Sequence, residues 1–123
     1  MGYFKYEGIY LQKCNNISME EYIIYLFWEK IVELPIAQNI LICSKDTSFE
    51  EIQSFLYRAI LCDYNTLFII ELTESFSECQ YDELFSLFDS LLSYKYEKNI
   101  NEMNMQKYLN SCIVFIYKKI EKI

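Results

Sequence analysis

A chain of 123 residues with a net charge of −7, no histidine and 53% hydrophobic residues has the length and apolar content of one folded domain. That acidic balance shows no basic patch able to displace counterions from phosphates, which argues against nucleic-acid binding; two glycines and one proline argue against a turn-rich all-β sandwich. Five cysteines, Cys14, Cys43, Cys62, Cys79 and Cys112, are widely spaced, with no C-x-x-C and no histidine to complete a zinc site, so they read as reduced thiols.

Residues 1–17, MGYFKYEGIYLQKCNNI, mix aromatic and polar residues without a sustained period and are expected to form an N-terminal arm, with a strand or a tail left open. Ser18 and Glu21 have capping-box spacing and predict a helix over 18–34, with Ile23, Leu26, Phe27 and Ile31 on its apolar face and Pro35 as its stop. Ile40–Cys43 is short and apolar on both sides of the pleat, which predicts a strand near 39–43 covered by helices on two faces. A second capping box, Thr47/Glu50 or Ser48/Glu51, starts a helix over 48–62 with Ile52, Phe55, Leu56, Ala59 and Ile60 as its stripe.

The remaining elements repeat the alternation: a strand near 66–71, a helix over 81–94 and a strand near 112–117. Residues 95–110 carry no apolar period and are expected to be a polar surface insertion, a loop or a loose helix, with Lys95, Lys98 and Lys107 in water. The order predicts a single three-layer α/β domain, or a fragment of a larger protein, with a mostly parallel sheet. Three strands leave exposed edges, so pairing from the N-terminal arm or from a neighbouring domain is expected. With no signal peptide and no apolar segment near about 18 residues, the expected setting is cytoplasmic, without a membrane span.

In open α/β sheets ligands sit beyond the carboxyl ends of the strands, which directs attention to Ser44–Ser48, to Glu71–Ser77 and to Lys118 onward. The first of these has the position of a phosphate loop, yet SKDTS lacks its glycines and its G-K-[ST] end. Lys45 could approach an anion at the helix start, but Asp46, Glu50 and Glu51 place negative charge there. Glu71 and Glu74 resemble the acidic end of a magnesium-holding strand, without a phosphate loop opposite. Arg58, the chain's one arginine, is expected to pair with Asp63 or a strand-end acid, with an arginine-finger contact to a neighbouring subunit as the sharper alternative. Without histidine no nucleophile has an evident base, so no catalytic, cofactor-binding or metal residue is assigned and no cofactor is expected.

Leu41–Cys43 followed by Thr47–Glu51, then Leu56–Arg58, the strand TLFIIEL, the helix DELFSLFDSLL and the strand CIVFIY together resemble a segment of the mysterin family, giant AAA+ ATPases and E3 ubiquitin ligases. The resemblance covers residues 39–117, about two thirds of the chain. It implies a non-catalytic structural or interaction module whose partners are other domains of a larger parent or other proteins. The family's nucleotide residues and RING cysteines have no counterparts here. The alternative is a degenerate P-loop-like domain that still holds a nucleotide or phosphate weakly near Ser44–Ser48 and Glu71.

Overall fold

The residue run Ile113–Ile116 contains no polar side chain, so it is stable only where both faces of a sheet are covered. In the computed structural model, which describes residues 2–3, 8–14, 18–62, 66–101 and 111–118, all four of these side chains are fully buried. They belong to β5 (Cys112–Tyr117), and the other strands are β1 (Gly2–Tyr3), β2 (Ile9–Lys13), β3 (Ile40–Cys43) and β4 (Leu67–Leu72). The sheet order is β1-β2-β5-β4-β3, parallel throughout except for the antiparallel β1/β2 pair.

The expected α/β fold with a mostly parallel sheet is therefore what the chain adopts. Within the expected N-terminal arm, residues 9–13 form an interior strand, pairing Ile9 with Ile113 and Lys13 with Tyr117. Gly8, at φ 87°, sits in the left-handed region that favours glycine, and its carbonyl accepts from the Ile113 N–H at 2.9 Å. The arm is the expected source of edge pairing, and it supplies it to β5.

Three helices, α1 (Met19–Ile31), α2 (Phe49–Leu56) and α3 (Glu78–Asn101), complete the layers. From β2 the chain crosses the sheet to β3 at the far edge, then returns through β4 to β5. A reversal of direction moves right-handed crossovers to the opposite face. Accordingly α1 packs Met19, Ile23, Leu26 and Phe27 against Leu67, Ile69, Val114 and Ile116 on one face. On the other, α2 and α3 pack Ile52, Phe55, Leu56, Leu84, Phe88 and Leu92 against Leu41, Phe68, Ile70 and Phe115. Phe115 meets Phe88 edge-on, with ring centroids 5.2 Å apart, so the two-helix face is held by interlocked aromatics as well as by area.

One helix cannot cover a face that two helices cover on the other side. Strand β3 shows the result: Leu41 and Cys43 are buried under α2, but Ile42 on the α1 side is 55% exposed. The expectation of cover on both faces of β3 is corrected, because β3 is the edge strand and α1 lies over β4 and β5.

Helix ends follow local chemistry. The Ser18 hydroxyl accepts from the Glu21 N–H at 3.2 Å, starting α1 where the capping spacing predicts. The stop comes earlier than Pro35: Val32 takes φ 54° and donates its N–H to the Trp28 carbonyl at 3.1 Å, ending α1 at Ile31 rather than 34. A β-branched residue in that region costs about 1–2 kcal/mol.

The second helix runs α-helically to Leu56 and then widens into a π-turn, Tyr57–Leu61, where the Cys62 N–H reaches the Tyr57 carbonyl at 3.2 Å. Two carbonyls of that turn are satisfied from outside. Ser111 Oγ donates to Ala59 O at 2.7 Å, and Lys95 Nζ donates to Ile60 O at 2.7 Å.

Lys95 explains why α3 is longer than the expected 81–94. It continues the stripe of Phe88, Leu91 and Leu92 at helical spacing, with its stem buried and its ammonium on the π-turn. The expected polar insertion is thus helical over 95–101, and Lys95 is buried rather than solvated; its remainder, 102–110, lies outside the described residues. Among the described residues, Arg58 meets a carbonyl and a ring. Its Nη1 donates to the Gln38 carbonyl at 2.6 Å and its guanidinium lies 5.5 Å from the Phe55 ring centroid; Asp63 lies outside the described residues.

Replacing Lys95 with methionine keeps the stem and removes the donor to Ile60 O. A loss of about 1–3 kcal/mol in urea unfolding is expected, with secondary structure by circular dichroism unchanged.

Candidate functional site

The carboxyl ends of β3 and β4 carry two loops that bind each other. Thr47, just before α2, accepts from the Ser44 N–H through Oγ1 at 2.9 Å and donates the same hydroxyl to Ile42 O at 2.9 Å. Across the gap, Thr73 donates its hydroxyl to Cys43 O at 2.6 Å and its N–H to the same oxygen at 3.1 Å, while Ser75 Oγ accepts from the Lys45 N–H at 3.2 Å.

The capping box of α2 is the Ser48/Glu51 pair, with both reciprocal bonds formed. That of α3 is Ser77/Gln80: the Gln80 N–H donates to Ser77 Oγ at 3.1 Å and Gln80 Oε1 accepts from the Ser77 N–H at 2.8 Å. The other end of the Gln80 amide reaches into the first loop, where Nε2 lies 3.1 Å from Ser44 O, 3.3 Å from Lys45 O and 3.1 Å from Thr47 O.

The consequence for ligand chemistry is direct. Backbone N–H groups cradle a phosphate only when they are available. Ser44 donates to Thr47 Oγ1, Lys45 to Ser75 Oγ, Asp46 to Ser44 Oγ, Thr47 to Ser44 O and Ser48 to Glu51 Oε1. All five are engaged within the protein. Gln80 organises the loop by its carbonyls, the opposite polarity to an anion cradle.

A second place was singled out only in part by sequence reasoning, through Glu71, Glu74 and Lys118. Strand β2 leads to α1 on one face, and β4 leads to α3 on the other, so the crevice between their loops is the topological switch point. A cleft of about 280 Å³ opens there, lined by Ser18, Met19 and Glu20 at the start of α1, by Glu71–Glu74 at the end of β4, and by Lys118. The missed signal was positional: Ser18–Glu20 reaches this crevice only because residues 9–13 form a strand.

The cleft is acidic. Partial burial, reinforced by Glu20, raises the Glu71 carboxyl above its ordinary value of 4.5, and Lys118 offsets part of that rise. Its neighbour Cys14 is also raised, by burial first and by Glu71 second, and so is held as a thiol. Burial pushes Cys43 up to about 12. All five cysteines are free, as the sequence indicates, and these two are inert small hydrophobes.

Of the positions marked in advance, Ser44–Ser48 and Ser75–Ser77 join through hydrogen bonds, whereas Glu71, Glu74 and Lys118 gather at the cleft. Lys45 belongs to the first group only through its backbone. Among the described residues there is no group of His, Cys, Asp and Glu placed to hold a metal, and no helix long and apolar enough to cross a membrane. The fold and the cleft define a small doubly wound α/β domain. No family model, no curated protein and no solved structure matches the chain.

Two substitutions probe these clusters. Gln80→Ala removes the donor to three carbonyls and is expected to destabilise by about 1–3 kcal/mol, with faster amide exchange at Ser44–Ser48 measured by NMR. For Glu71 the folded carboxyl binds its proton more tightly than the unfolded one, so stability from this group is present at low pH and is lost as pH rises through the folded value. Glu71→Gln is therefore expected to be more stable than the parent at pH 7, with the difference shrinking toward pH 4 in parallel thermal melts.

Proposed function

We propose that this chain is a non-catalytic structural or interaction module, akin to a segment of the mysterin-like AAA+ ATPases and ubiquitin ligases, working in the cytoplasm against other domains or other proteins. The observation that carries the reading is the engagement of every backbone N–H from Ser44 to Ser48 by the protein's own acceptors. A loop in the phosphate-binding position whose N–H groups from Ser44 to Ser48 are all occupied supplies a strand-to-helix connection and offers a nucleotide none of those donors. The resemblance over residues 39–117 supplies the kind of parent. The absence of glycine in SKDTS and the acids beside it agree with a unit that keeps the outline of a nucleotide fold without its chemistry.

One observation favours the second reading, a degenerate P-loop-like domain with weak nucleotide binding: the cleft lies at the switch point, where such folds place ligands. Its lining opposes that reading, because Glu20, Glu71 and Glu74 repel a triphosphate and only Lys118 attracts one.

The two readings part in one measurement. Under the module reading, magnesium and ATP at millimolar concentration leave the unfolding temperature unchanged in differential scanning fluorimetry. A clear upward shift that is lost in Lys45→Ala or Glu71→Gln would establish the second reading instead.

A further inference from the structure

Exposed apolar side chains occur on both faces of the sheet, and one group of them lies on α1, on β3 and in the connection between the two. On α1, Ile24 is 50% exposed and Trp28 is 59% exposed; on the neighbouring edge strand Ile42 is 55% exposed, and Leu34 and Ile36 are exposed in the connection between them. Helical spacing places Ile24 and Ile31 on the flank of α1 that begins at Glu20, and Glu20 lines the cleft beside Glu71 of β4. The other flank, with Tyr22 and Glu29, faces Cys14 at the end of β2. The exposed apolar flank thus overlooks the uncovered face of β3, making a trough with Ile42 in its floor and α1 as its wall.

The trough lies where a second helix of this layer would sit, matching the two helices on the opposite face. Strand addition at β3 is a poorer fit. Leu41 and Cys43 point their backbone groups toward β4, so Ile40 and Ile42 carry the outer edge. There the Ile42 carbonyl already accepts from Thr47 Oγ1, and the Ile40 N–H already donates to Ala37 O. A four-residue edge with half of those groups engaged offers little ladder to an incoming strand.

Charge selects among helices. Glu20, Glu71 and Glu74 stand at the upper end of the trough, and the chain as a whole carries −7. One cation, Lys118, stands among these three carboxylates and leaves the group acidic on balance, whereas Lys30 lies 5.1 Å over the Tyr10 ring on the β2 side and Arg58 is bound to Gln38 O. A second copy would bring the same carboxylates and a net negative charge to the contact, and anionic lipid would be repelled.

We propose that the trough between α1 and β3 docks an amphipathic helix with a lysine- or arginine-bearing rim, supplied by another chain or domain, its apolar face on Ile24, Trp28 and Ile42 and its cations at Glu20, Glu71 and Glu74. This rests on the interaction-module reading and names the surface it uses. The contact adds the missing helix of the layer and supplies counter-charge to a half-buried carboxylate.

Trp28 is the only tryptophan and reports the contact directly. The full chain is titrated with a designed leucine/lysine amphipathic helical peptide of about four turns and with its leucine/glutamate counterpart. A saturable blue shift of Trp28 emission is expected with the lysine peptide alone, weakened by salt. Ile42→Lys is expected to reduce affinity by about tenfold or more while leaving the circular dichroism spectrum unchanged. Glu74→Lys, at an exposed position, is expected to weaken it by a smaller factor.

No shift with the lysine peptide, or an equal shift with both peptides, would overturn the proposal. So would a shift with zwitterionic vesicles, which would assign the trough to lipid, or concentration-dependent dimerisation in sedimentation that Ile42→Lys abolishes, which would assign it to a second copy. Failure here with no response to magnesium and ATP removes the docking site and leaves the module reading standing. Peptide binding together with a nucleotide-dependent shift removes the non-nucleotide reading and leaves the docking site.

Discussion

Pairing on both edges of β5 is the constraint from which the rest of the architecture follows. Its apolar run must be covered above and below, so strands flank it and helices cap both faces. Once β2 and β4 take the two edges, the direction of travel across the sheet reverses between β2 and the strands that follow. Crossover handedness then distributes the helices unequally, one against two. That inequality produces both notable surfaces: the switch-point cleft, where the loops of the two directions part, and the trough over β3, where the single-helix layer falls short.

The loops at the ends of β3 and β4 show a different economy. A strand-to-helix loop has a surplus of N–H groups at the helix start, and nucleotide folds use that surplus on phosphate. Here short hydroxyl side chains, Ser44, Thr47 and Ser75, absorb it, and Gln80 ties down the carbonyls left over. The result is a stiff joint between two successive crossover units. Its residues are small and polar for the reason glycine is absent: side-chain oxygens occupy the space that a ligand's oxygens would otherwise fill.

Most elements were legible because their signals are local. Capping spacing located Ser18 and Ser48 as helix starts, and unbroken apolar runs located β3, β4 and β5. What stayed illegible depends on distant partners. Ile9–Lys13 alternates weakly and carries two polar residues, so only its pairing with β5 makes it a strand. Lys95 looks like surface in any window of sequence, and its burial is set by the Ile60 carbonyl, which the π-turn leaves outside the helical ladder. Val32 ends α1 before Pro35 through a backbone conformation that a β-branched residue disfavours, so propensity points the other way. The cleft was half legible: Glu71, Glu74 and Lys118 were marked by the strand-end rule, whereas Ser18–Glu20 required the strand order. For Ser77 and Gln80, the S-x-x-Q spacing was present in the sequence, but its reach to Ser44 O, Lys45 O and Thr47 O belongs to the tertiary structure.

The pairing of Ile9 with Ile113 joins positions about a hundred residues apart. During synthesis β3, α2 and β4 can assemble as each emerges, since every contact among them is with a near neighbour in sequence. Strand β2 has no such option: the edge it pairs with does not exist until β5 leaves the ribosome. Residues 9–13 are thus made before β3, β4 and β5 and seated after them, and their exposed interval lengthens with any slowing of translation before residue 117.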